Sequence, residues 1–223
     1  MGLYDSFITC SHTIISGSTG SGKSVLINNW LYLMIRDVPL NRFELWIVDP
    51  KRVDYMDYRP FSKQYETELN RIEWLLDYAV RTMEARYKYM NQNRLKEWTG
   101  PHIFILIDEF GQVLRSKSCV KSLDELLRLG RAARIHVIAA NQSASRATGC
   151  PAHLRINFTC QVGLHCVDKI ASRQAIGMAG CETLPLYGYC YCFTPKDVKP
   201  VLYKVDKVPE EEIRQVITNA LRR

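Results

Sequence analysis

Short continuous apolar runs alternate along the chain with longer stretches in which apolar residues recur every three or four positions. The runs are HTIIS (12–16), FELWIV (43–48), HIFILI (102–107), IHVIAA (135–140) and INFTCQVGLH (156–165). All are of strand length, and HIFILI, a continuous apolar run, reads as a buried parallel strand. Helical spacing appears over Lys23–Arg36, with Val25, Leu26, Trp30, Leu33 and Met34 on one face. It returns over 65–92 through Leu69, Ile72, Leu76, Val80, Met83, Tyr87 and Met90. Further helices are predicted over 118–133, 168–179 and 209–222, the last opening on Pro-Glu-Glu-Glu, a favourable first turn. Residues 52–64 read as loop. YGYCYCF (187–193) and PVLYKV (200–205) read as a hairpin across Thr194–Lys199. Strands alternating with helices predict one α/β domain over residues 1–223. Its central sheet is largely parallel and flanked by helices, and a β-hairpin and a helix close it.

Composition agrees with a globular chain. Of 223 residues, 47% are hydrophobic and 24% charged, which excludes a disordered or collagen-like polymer. No apolar run is long enough to span a bilayer. The formal net charge is +7 and the pI is near 9.0, a balance that favours polyanionic partners such as nucleic acid. The eight cysteines form no C-x-x-C pair, and the five histidines complete no zinc spacing. Several cysteines sit inside apolar runs, where a thiol packs as a small hydrophobe. With no secretory signal at the start, a reducing cytoplasmic setting is expected.

The chemistry is concentrated in three places. Gly17-Ser18-Thr19-Gly20-Ser21-Gly22-Lys23-Ser24 satisfies G-x-x-x-x-G-K-[ST] between a strand and a helix. Glycines there let successive backbone N–H groups turn in around a phosphate, and the new helix points its positive end at the same anion. Lys23 is placed for the β- and γ-phosphates of ATP and Ser24 for Mg²⁺. The second place is the end of HIFILI, which runs straight into Asp108-Glu109. Asp108 would hold Mg²⁺, directly or through water, and Glu109 would polarise an attacking water. The third is Asn141-Gln142, at the end of IHVIAA. A polar pair beyond a strand's carboxyl end can sense a γ-phosphate, although a simple turn would look the same.

In order along the chain, GSTGSGKS, IVDPK (47–51), ILIDEF (105–110) and GRAARIHVIAANQ (130–142) resemble the FtsK/SpoIIIE family of DNA-pumping motors. RINFTCQV (155–162), Ser172-Arg173 and Ala179-Gly180-Cys181-Glu182 continue the likeness, which covers roughly residues 11–205. The resemblance implies a RecA-like P-loop NTPase core, a hexameric ring, and ATP hydrolysis coupled to movement along double-stranded DNA. It also implies an arginine given in trans to a neighbour's ATP, for which Arg131 is the first candidate; Arg155 and Arg173 also match family arginines. The family's cell-division members add membrane helices before the motor and a winged-helix domain after it. The stretch met here resembles the motor, as a minimal motor of a mobile element or phage or as an excised domain would. A related ring ATPase that handles protein, as in type VII secretion, is the alternative reading.

Overall fold

The apolar runs assemble side by side. The structure, a computed structural model, describes residues 3–141 and 150–222. Eight strands form one sheet: β1 (Thr13–Ser16), β2 (Phe43–Val48), β3 (Ser62–Glu66), β4 (His102–Ile107), β5 (Ile135–Asn141), β6 (Cys160–Gly163), β7 (Tyr189–Phe193) and β8 (Val201–Lys204). Their order across the sheet is β3-β2-β4-β5-β1-β6-β7-β8. The first six in that order are parallel, and the β6–β7 and β7–β8 pairs are antiparallel. β5 therefore stands between the strand that precedes the glycine-rich loop and the strand that precedes Asp108-Glu109.

Both faces of the sheet are covered, which is why its central strands lack alternation. On one face α1 (Leu3–Thr9), α2 (Lys23–Asp37) and α8 (Glu210–Leu221) pack Phe7, Leu26, Trp30 and Ile213 against Ile15, Phe104 and Leu106. On the other, α3 (Leu69–Gln92) and α5 (Lys117–Leu129) bring Ile72, Leu76, Leu123 and Leu126 onto Ile103, Ile105 and Ile107. Successive residues of HIFILI thus feed opposite layers. The shorter helices are α4 (Phe110–Val113), α6 (Ala152–Arg155) and α7 (Lys169–Ile176).

Four local readings of the sequence change. Residues 62–66 lie within or beside the expected loop and form β3, an outer strand whose SKQYE composition carries no apolar signal because it is only partly buried. The helix expected from residue 65 begins at Leu69, after β3. The helix expected to reach 133 ends at Leu129, and Arg131–Arg134 form a turn with Arg134 at φ 52°. The strand expected over 156–165 pairs only over Cys160–Gly163. α1 gives too short a pattern to be foreseen; Phe7 anchors it, with its ring centroid 5.9 Å from that of Trp30.

Candidate nucleotide site

The glycine-rich loop crosses from β1 to α2 at the carboxyl edge of the parallel strands, where this class of sheet binds ligands. Three glycines are required by its shape. A Cβ on Gly17 would stand 2.6 Å from Ser21 Oγ and 3.0 Å from Leu164 Cβ. Gly20 and Gly22 have φ of 77° and 95°, a region L side chains avoid. The loop is also pinned from the β6 side. Ser18 N–H and Ser18 Oγ–H both donate to His165 O, at 2.8 and 3.1 Å, and Ser21 N–H donates to Ser18 O at 3.2 Å. α2 starts at Lys23 straight after Gly22, so its first N–H groups have no carbonyl ahead of them and face the loop's interior.

Lys23 lies beneath the loop, with Nζ donating to Gly17 O and Ser18 O at 2.8 Å each. Its side chain is buried, and that burial lowers its pKa to about 8, against the opposing pull of Glu109 and Asp108. An anion held by the loop would favour the charged form further.

Asp108 and Glu109 follow β4. Asp108 is 4% exposed, and burial raises its pKa to about 6, partly offset by the Lys51 ammonium. Its Oδ2 is buried and has no hydrogen-bond partner among the described residues. An orphaned carboxylate oxygen beside a phosphate loop fits a hard cation, with Ser24 as the other oxygen donor on this chain. No group of three metal-ligating side chains occurs among the described residues, so a cation here would take its remaining ligands from phosphate and water. Glu109 adopts the left-handed conformation, φ 48° and ψ 47°, and its carboxylate pairs with Lys51 Nζ. The sequence reading gave Lys51 no chemistry, although its position just past a buried strand marks it for the same edge.

The remaining candidates divide. Asn141 ends β5, buried, in register with Ser16 of β1. Its neighbour Gln142 lies outside the described residues. Arg131 stands at the opposite edge of the sheet, where β5 begins. There it lines a cavity of about 310 Å³ with Lys96, His102, Arg134 and His136. It thus stands at the end of the strands away from its own loop. Arg155 and Arg173 share a structural contact, Arg155 Nη2 donating to Arg173 O at 3.2 Å.

A glycine-rich phosphate loop after β1, an acidic pair after β4 and β5 inserted between them define a RecA-like P-loop NTPase fold. The model of the FtsK/SpoIIIE family matches residues 4–113, which carry the loop, Asp49-Pro50-Lys51 and Asp108-Glu109. The DNA translocase FtsK of Chlamydia trachomatis serovar D is 29% identical over 94% of this chain, and that of Clostridium tetani is 28% identical over 92%. This chain is similar to the FtsK/SpoIIIE family, over residues 4–113 by the family's model and over most of its length by these relatives. It spans 29% and 30% of the length of those two relatives. Among solved structures, the pCW3 conjugation coupling protein TcpA superposes with a TM-score of 0.83 at 20% identity, over 96% of this chain and 66% of that one. The cytoplasmic domain of the type VII secretion ATPase EccC of Thermomonospora curvata superposes at 0.76 with 21% identity, over 95% and 28%. Among the described residues, no helix is long and apolar enough to cross a membrane.

Proposed function

We propose that residues 1–223 are one motor domain that hydrolyses ATP to move or transfer double-stranded DNA, working in the cytoplasm as a subunit of a hexameric ring. The observation that carries the reading is the meeting of Lys23, Asp108 and Glu109 at one edge of the sheet, beneath a loop shaped for phosphate. The DNA translocases among its relatives and the net charge of +7 support DNA as the substrate.

Each residue then has a task. Gly17, Ser18, Thr19, Gly20, Ser21 and Gly22 wrap their backbone N–H groups around the β-phosphate. Lys23 leaves the carbonyls of Gly17 and Ser18 for the β- and γ-phosphates. Ser24 and Asp108 hold Mg²⁺, which when bound neutralises charge on the phosphate oxygens. Glu109 accepts a proton from water as the water oxygen bonds to the γ-phosphorus and the bond to the ADP oxygen breaks. Asn141, at the end of β5, and Gln142, the next residue in the sequence, sense the γ-phosphate. Arg131 of one subunit completes the site of the next, where a guanidinium stabilises the charge that spreads over the transferred phosphoryl group.

The test is ATP turnover with and without duplex DNA. Stimulation by DNA is expected. Turnover that ignores DNA but rises with a secreted polypeptide would favour the protein-handling alternative, and absence of turnover would refute hydrolysis.

A further inference from the structure

The Asp49-Pro50-Lys51 run has no task in that scheme, yet its geometry is specific. β2 and β4 pair in register to their ends, Val48 beside Ile107, and Asp108 N–H donates to Val48 O at 2.9 Å. The two strands therefore release their chains side by side. Beyond β2 the chain turns at once. Arg52 N–H meets Asp49 O at 3.1 Å and Asp49 Oδ1 at 3.0 Å, closing a four-residue turn with Pro50 second, the position its fixed φ suits. The turn is clamped to β3 as well: Tyr65 Oη–H donates to Asp49 Oδ2 at 2.7 Å, and Asp49 N–H donates to Glu66 O at 3.0 Å. Asp49 itself is fully buried. Aspartate clamps, proline fixes, and lysine is the third residue, whose ammonium ends on the Glu109 carboxylate.

Glu109 needs such a partner. Its backbone is in a region that costs a non-glycine residue energy and persists only where the surroundings hold it. Its side chain is 13% exposed, and that of Lys51 is 35% exposed, so the pair lies at the rim of the site and not in bulk water. Lys23 is already engaged by the loop, so the two lysines divide the site between phosphate and carboxylate.

We propose that Lys51 is a positioning residue for hydrolysis, holding the Glu109 carboxylate in place from the clamped turn that follows β2. The inference rests on the hydrolytic reading above. Lys51→Met keeps the aliphatic stem and removes the ammonium. With duplex DNA present, its kcat should fall about ten- to a hundredfold, the scale of a misplaced reacting group. KM for ATP and the Kd of a fluorescent ADP analogue should stay within about twofold. Lys51→Arg should recover part of the rate, and Lys51→Met should add no further loss to Glu109→Gln.

Wild-type kcat in Lys51→Met would overturn the assignment. So would a loss of nucleotide affinity as large as the loss of rate, which would make Lys51 a phosphate ligand, or an undiminished further loss in the Glu109→Gln background. Thermal melting checks folding, and Lys51→Gln decides the matter if the methionine variant is unfolded. If Glu109→Gln itself turns over normally, or the wild type not at all, the hydrolytic reading fails and takes this one with it. An inactive Glu109→Gln beside a fully active Lys51→Met overturns Lys51 alone.

Discussion

Acid should weaken the centre of the sheet through His12. This residue immediately precedes β1, is 1% exposed, and joins three strands. Its Nδ1 accepts from Val137 N–H of β5 at 3.1 Å, and its carbonyl accepts from Cys160 N–H of β6 at 3.0 Å. Burial, helped by neighbouring His136, lowers its pKa to about 3. A proton on Nδ1 would also cost the Val137 bond. Because the folded-state pKa is depressed, the unfolded chain takes up the proton first. Stability is full above about pH 6.5 and is lost as pH falls toward the folded value. Between pH 7 and 5 the loss is about 2 kcal/mol, at ~1.4 kcal/mol per unit below the unfolded pKa. His102, lowered by burial to about 4 but half-exposed, adds about 1 kcal/mol after discounting for solvent. His136, lowered by burial, acts in the same sense. Asp108 opposes them. Raised to about 6, it regains its proton in the folded state and returns about 1 kcal/mol over the same interval. His12→Asn isolates the first contribution, since Asn Oδ1 can accept from Val137 N–H and does not titrate. Urea unfolding of nucleotide-free protein at pH 7 and pH 5 should show the wild type losing about 2 kcal/mol more than the variant. Equal losses in the two proteins would refute the argument.

Lys23→Ala should abolish tight ATP binding, read by titration with a fluorescent analogue, because the loop loses the ammonium now held on its own carbonyls. Arg131→Ala should leave ATP affinity nearly intact and cut turnover by as much as roughly 10³-fold. Mixing it with Lys23→Ala subunits should restore part of the rate, and failure to do so would count against action in trans. DNA binding should fall by orders of magnitude between about 50 and 200 mM salt, and a flat response in a filter-binding or anisotropy titration would argue against a phosphate-gripping surface.

The parts of this protein most legible in its sequence are those governed by one dominant local rule. HIFILI and FELWIV are strands over the residues expected, because a run buried on both faces leaves no other arrangement for its apolar side chains. The phosphate loop is legible for a similar reason, since its glycines answer to backbone geometry alone. β3 was invisible because its pairing with β2, and not its polar side chains, makes it a strand. Lys51 went unassigned because its partner is 58 positions away in the chain, and only the parallel pairing of β2 with β4 brings the two together. Arg131 could be placed at the far edge from the alternation of helix and strand, whereas the cavity it lines there could not be foreseen.

The insertion of β5 between the loop strand and the acidic strand has a mechanical consequence. Its seven residues are all buried, with Ile135–Ala139 paired to β4 and Ile138–Asn141 paired to β1, and together they extend roughly 20 Å. One tip, Asn141, lies in register with Ser16, which leads into the phosphate loop; the other, Ile135, directly follows the Arg131–Arg134 turn. A displacement of its carboxyl tip would be carried along the strand toward the turn that bears Arg131.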